Sequence, residues 1–179
     1  MMPFRLVQTL LVLVSSFALL VSARPLNVSE HQPATPSIKL QSLDGQTYDL
    51  GSLRGNVVLV SFGATWCTPC SAELQALEEL KREYVRKSVK FVWVSIESEQ
   101  DVSNARLQRY AKERRITFPV LRDPAKAAYL QFSPRVRLPT IVFFTRDGQL
   151  DAPVQFGMRS PIDLYKSDIR MRLDKLLAE

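Results

Sequence analysis

"GATWCTPCSAEL", residues 63–74, holds both cysteines of a 179-residue chain, Cys67 and Cys70, in a C-x-P-C arrangement. It follows "NVVLVSF", residues 56–62, a continuous apolar and β-branched run of the kind that forms a central strand buried on both faces. It leads into "TPCSAELQALEELKREYVRK", residues 68–87, where Leu74, Leu77, Leu80 and Tyr84 recur at helical spacing, with glutamates early and bases late to suit the helix dipole. The cysteines therefore stand at a strand-to-helix junction. Cys67 falls at the helix start, where free N–H groups and the dipole favour a thiolate. Cys70 lies about one turn further on, facing inward and within disulfide reach. Pro69 fixes the first turn, where its missing N–H costs nothing.

Such a pair can exchange: Cys67 attacks a partner disulfide as thiolate, and Cys70 resolves the mixed disulfide. Three other readings compete. A structural bridge across so short a loop restricts the unfolded chain little. Half a zinc site needs further ligands, and the chain has no other cysteine and only His31. A chance pair leaves the order of apolar strand, Trp66, C-x-P-C and amphipathic helix unexplained.

The surrounding sequence reads as one domain over residues 38–179, without repeats. "SIKLQSLDGQTYDL", residues 37–50, alternates around Asp44-Gly45, a hairpin turn signal. "VKFVWVSI", residues 89–96, is a second strand and "DVSNARLQRYAKERR", residues 101–115, a second helix, so strand, helix and strand imply a parallel pair joined by a crossover. "FPVLRDPAKAAYLQF", residues 118–132, reads as a short strand, a helix start at Asp123-Pro124 and one or two helical turns. "LPTIVFF" (138–144), "TRDGQ" (145–149) and "LDAPVQF" (150–156) form strand, turn and strand. A C-terminal helix follows, with Ser160 as cap, Pro161 in its first turn and an apolar face of Ile162, Tyr165, Ile169, Leu173 and Leu176. The expected architecture is an α/β mixed central sheet, parallel in its first half, with helices on both faces and an N-terminal β-hairpin extension.

Taken together, "VLVSFGATWCTPCSAEL" and "LPTIVFFTRDGQL" resemble the thioredoxin-like superfamily. The insert between Ile96 and Pro139, with the leader, resembles its exported TlpA/ResA-type thiol:disulfide oxidoreductases. The resemblance implies that Pro139 follows a cis peptide and faces the cysteine pair, presenting the backbone of Leu138 to an extended substrate that pairs as an added strand. Trp66 becomes a packing residue and a rim for substrate docking, and Thr68 a position that tunes the reduction potential. One departure matters. Thioredoxins carry a buried Asp six residues before the first cysteine, where Ser61 stands here, and some exported relatives use a Glu at the end of the next strand instead. Glu97 is the nearest candidate for a base that deprotonates Cys70, and Glu99 the second.

The expected function is dithiol exchange with disulfide-containing protein substrates, in the reducing direction, with a membrane-embedded thiol donor to recharge the enzyme. No cofactor is expected beyond the Cys67-Cys70 disulfide, and no metal. Two alternatives remain at this level. A peroxiredoxin-type thiol peroxidase shares the fold, but its P-x-x-x-T-x-x-C pattern asks for Thr where Ala64 stands. A copper-binding module with two thiolates usually adds a histidine in the domain, and none follows His31.

Composition bounds the setting. Hydrophobic residues make up 46% of the chain, ordinary for a globular core, and the formal charge is +6. The 24 basic residues are spread along the chain without a dense block, which speaks against nucleic acid as a partner. Residues 1–23 have Arg5, an apolar run from Leu10 to Val21 and the small residues "VSA", the layout of a signal peptide cleaved after Ala23 or of an N-terminal anchor. Residues 24–37 read as a flexible linker, and the domain is expected in a periplasmic or other extracytoplasmic compartment where disulfides persist.

Overall fold

The computed structural model describes Pro36 and residues 38–179. The expected leader, its cleavage site and nearly all of the linker lie outside the described residues. Ten elements follow in order: β1 (Lys39–Ser42), β2 (Thr47–Asp49), β3 (Val57–Gly63), α1 (Thr68–Glu83), β4 (Val89–Ser95), α2 (Asn104–Glu113), β5 (Val120–Arg122), β6 (Thr140–Phe144), β7 (Leu150–Phe156) and α3 (Ile162–Ala178).

The strands form one seven-stranded sheet in the order β2-β1-β5-β4-β3-β6-β7. Parallel pairing joins β3 to β4 and β4 to β5, while β6 runs antiparallel to β3 and to β7. Every residue of β3 and of β6 is buried, as their unbroken apolar runs require of strands with neighbours on both edges and cover on both faces. The β1–β2 hairpin closes through Gly45 at φ +83° and pairs with β5, which makes it the expected extension. Pro153 sits in the edge strand β7 where the register with β6 shifts, a place where a missing N–H interrupts no central ladder.

Alternate residues feed two apolar clusters. Leu59, Phe91, Trp93 and Phe143 on one face meet Leu74 and Leu77 of α1, Leu107 of α2, and Tyr165 and Ile169 of α3. Val60, Phe62, Val94 and Val142 on the other face meet Leu50 and Tyr129, which lie in single 3-10 turns at Leu50–Leu53 and Tyr129–Gln131. Helical cover is thus present on both faces but unequal, with the three α-helices together on one. A row of surface ion pairs also joins α1 to α3 through Glu79–Lys166 and Glu83–Arg170, and the turn after α1 to α3 through Lys87–Asp174, each contributing little in water.

Three local expectations are corrected. Asp123 does not start an α-helix: its carboxylate accepts the backbone N–H of Tyr129 at 2.8 Å and closes a loop six residues long. Ser160 does not cap α3, because Pro161 occupies the cap position with no side-chain cap bond and the helix begins at Ile162. The first turn of α1 holds no acid, although Lys81 and Arg82 do stand in its last.

Gly63 ends β3 beneath the cysteines. A Cβ there would lie 2.6 Å from Trp93 Nε1 and 3.4 Å from Cys70 Cβ, so only glycine lets α1 and β4 close on this point. Gly63→Ala should lower the midpoint of urea unfolding, at a cost of about 1–3 kcal/mol for overpacking. An unchanged midpoint would mean that the helix start gives way freely.

Candidate active site

The β3–α1 junction places the two sulfurs. Cys67 is the N-cap of α1 and its Sγ accepts the backbone N–H of Cys70 at 3.2 Å, so the sulfur occupies the place where the helix dipole favours negative charge. Pro69 follows inside the first turn. The cysteines are joined as a disulfide with Cα atoms 5.2 Å apart. Their access differs: Cys67 keeps 5% exposure and Cys70 has none. Trp66, directly before Cys67, is 65% exposed and forms one rim of the site.

The antiparallel register brings β6 to the same end of the sheet. Phe62 pairs with Thr140, which places Pro139 next to the level of Gly63. Pro139 is buried, and the Leu138–Pro139 peptide is cis. Leu138 is half-buried and packs against the cluster that contains Cys67, Cys70 and Phe62. Tyr129 steadies this approach from the other side, donating from its hydroxyl to the carbonyl of Arg135 and accepting the N–H of Arg137.

The carboxylates are arranged differently from the sequence expectation. Glu97 is buried, but it is committed to the loop before Cys67: Oε2 accepts Thr65 N–H at 2.7 Å and Ser95 Oγ–H at 3.1 Å, and Oε1 accepts Thr65 Oγ1–H at 2.7 Å. Glu99 is exposed and accepts from Asn104 Nδ2. The acid on the helix face beneath the pair is Glu73, three residues after Cys70 and fully buried. Ser61 Oγ–H and Tyr165 O–H each donate to it at 2.6 Å, one to each carboxylate oxygen. Burial pushes the Glu73 carboxyl up to about 7 against the pull of those two hydrogen bonds. The Tyr165 phenol is pushed well above its usual value by its own burial and by the neighbouring carboxyl, so it stays a proton donor.

Glu73 was legible in principle. It shares the inward face of α1 with Cys70, Leu74, Leu77 and Leu80, and an acid on such a face needs partners or a raised pKa. Ser61, at the strand position where the resemblance to thioredoxins placed an acid, instead donates its hydroxyl to this helix carboxyl. Cys70 lies over Gly63 and Glu73 over Ser61, two positions along the same face of β3. Side chains three apart on a helix have Cβ atoms about 5–6 Å from each other, which sets the reach between thiol and acid.

The chain has counterparts among known proteins. Residues 32–152 match the AhpC/TSA family. The chain belongs to that family. Among curated proteins it is 31% identical over 144 residues to the thiol-disulfide oxidoreductase ResA of Oceanobacillus iheyensis, covering 76% of this chain and 71% of that one. It is 35% identical over 102 residues to the thioredoxin-like protein YneN of Bacillus subtilis, covering 57% and 58%. Among solved structures it is similar to a thiol:disulfide interchange protein of the thioredoxin family from Chlorobium tepidum, with a TM-score of 0.65, 24% identity and coverage of 80% of this chain and 94% of that one. The exposed lipoprotein thioredoxin Etrx1 of Streptococcus pneumoniae gives a TM-score of 0.62 at 26% identity, covering 78% and 98%. The fold is thioredoxin-like, and the C-x-x-C pair is the feature that dithiol exchange requires.

Within that family, two features bear on the peroxidase and metal alternatives. Ala64 is fully buried and offers no hydroxyl beside Cys67. Among the described residues no group of three or more His, Cys, Asp and Glu side chains is placed to hold a metal ion.

Glu97 carries its own test. Glu97→Gln should lower the urea midpoint by weakening the hold on Thr65, at about 1–3 kcal/mol for a part-buried donor left short of its partner, and leave the pH profile of turnover in place. A displaced profile would return the proton-acceptor role to Glu97.

Proposed function

We propose that this protein is an extracytoplasmic thiol:disulfide oxidoreductase working in the reducing direction on disulfide-containing proteins. The observation that carries the reading is the difference in access between the two bonded sulfurs, with Cys67 at the helix cap and Cys70 sealed beneath it. In the reduced enzyme the Cys67 thiolate, held by the Cys70 N–H and the helix end, attacks one sulfur of a substrate disulfide. A bond forms between Cys67 and the substrate, and the substrate's other sulfur leaves as thiolate. Glu73 accepts the proton of the Cys70 thiol. The Cys70 thiolate then attacks Cys67, closes the protein disulfide and expels the second substrate thiolate, which takes up a proton. Two electrons pass from protein to substrate, and a thiol donor restores the dithiol.

Trp66, Leu138 and Pro139 form the substrate lip, where the backbone of Leu138 pairs with an extended chain. A membrane-embedded thiol protein is the donor we assign, on the resemblance to exported relatives. The signal-like leader supports the extracytoplasmic setting, together with the exposed lipoprotein thioredoxin among the structural neighbours. Among the described residues no helix is long and apolar enough to cross a membrane.

Equilibrating the Cys67/Cys70 couple against glutathione or dithiothreitol buffers tests the direction. A reductase should sit near the thioredoxin value of about −270 mV, whereas a value near about −120 mV would make the protein a disulfide donor.

A further inference from the structure

Beside Trp66 the surface opens into a groove of about 440 Å³, formed by the Thr65–Trp66 loop and one face of α2. Three arginines line it: Arg106, Arg109 and Arg114. Their states differ. Arg114 is built in, with Nε donating to Ser71 Oγ at 2.8 Å and the guanidinium 3.6 Å from the Tyr110 ring centroid. Ser71 directly follows Cys70, so this cation is tied to the first turn of the active-site helix. Arg106 and Arg109 are exposed, and among the described residues their side chains make no ion pair or hydrogen bond. They stand three residues apart, on neighbouring positions of one helix face. The groove's one acid, Glu113, lies 3.9 Å from Arg114, is 65% exposed and forms no ion pair with Arg106 or Arg109, so three guanidiniums face a single carboxylate.

Guanidiniums lining a groove whose wall includes Trp66, the residue directly before the nucleophilic Cys67, are placed to select what reaches that sulfur. Planar, permanently charged donors of this type suit carboxylates, and Trp66 offers an apolar surface at the boundary between groove and cysteine. Resting on the oxidoreductase reading above, we infer that the substrate is a protein whose reducible cystine is flanked by an acidic segment, which lies in the α2 groove while the cystine faces Cys67. Arg106 and Arg109 are then the specificity-determining charges, and Arg114 fixes the groove wall through Ser71 and Tyr110.

The test uses three disulfide-bonded peptides of equal length, with acidic, uncharged polar or basic residues beside the cystine, reduced by the pre-reduced protein at low and high salt. The acidic peptide should lead the uncharged one in kcat/KM by about tenfold at low salt, the basic peptide should trail, and salt should compress the series. In an Arg106→Glu/Arg109→Glu double variant, with its fold checked by circular dichroism, the ratio of acidic to uncharged rates should fall below one. Equal rates for the three peptides with the unaltered protein, or an acidic preference that survives the double variant, overturns the inference. If none of the peptides is reduced, the oxidoreductase reading fails, and the groove is judged by titrating the oxidised protein with the corresponding linear peptides. Tighter binding of the acidic peptide, lost in the double variant, sustains the groove assignment, and equal binding overturns it.

Discussion

A Cys70→Ser protein, reduced and mixed with a disulfide substrate, should stop at the covalent complex. Cys67 is the sulfur with access and the one that accepts a helix N–H, so the first attack survives the change. Serine at position 70 has no thiolate to displace the substrate, and steady-state turnover should fall by at least about 10³-fold, the scale on which removing one member of a nucleophilic unit acts. Non-reducing gels and mass spectrometry would show the adduct on Cys67. Cys67→Ser should give no adduct, because Cys70 is sealed at 0% exposure. A Cys70→Ser variant that still turned over within about tenfold of the parent would point to one-cysteine chemistry and revive the peroxidase alternative.

Glu73→Gln should have the second largest effect. Removing a positioned proton acceptor costs about 10²–10⁴-fold in the step it serves, so resolution of the mixed disulfide should slow and lose its dependence on a group titrating near 7. Stability gives a readout independent of turnover. The carboxyl's folded value is raised from 4.5 to about 7, so between these pH values the folded state holds a proton that the unfolded chain has lost. Stability from this group is therefore greatest below about pH 4.5 and declines as pH rises to about 7, by about 3 kcal/mol in all for a fully buried acid. Urea midpoints measured between pH 5 and 8 should fall in the parent and stay flatter in Glu73→Gln. Parallel curves would mean that Glu73 is not the group titrating there.

The elements carried by strong periodicity were readable from the chain alone. The apolar run at 56–62 and the helical face from Leu74 to Leu80 could form nothing but a buried strand and a packed helix, and they fixed where Cys67 and Cys70 stand. The site's acid was harder to read, because searching strands for the missing thioredoxin carboxyl leads to Glu97, whose three hydrogen bonds to Thr65 and Ser95 are invisible in sequence. Glu73 depends on Tyr165, 92 residues away, a pairing that no local pattern announces. Boundaries set by tertiary context also escaped. Asp123-Pro124 has the form of a helix start, yet the Asp123 carboxylate bonds the N–H of Tyr129, whose ring is held edge-on to Phe62 at 5.5 Å. Nothing in the local pattern marks Arg106 and Arg109 of α2, because only the fold sets them beside Trp66.

The hydroxyl of Tyr165 belongs to the last element of the chain, while the acid it covers belongs to the first long helix. During synthesis the cysteines and their acid leave the ribosome long before the lid that dries them. A chain lacking α3 would keep the C-x-x-C motif and the helix end that favours the Cys67 thiolate, but Glu73 would lose the Tyr165 hydroxyl and its apolar cover, so its carboxyl should move back toward ordinary acidity and resolution by Cys70 should slow.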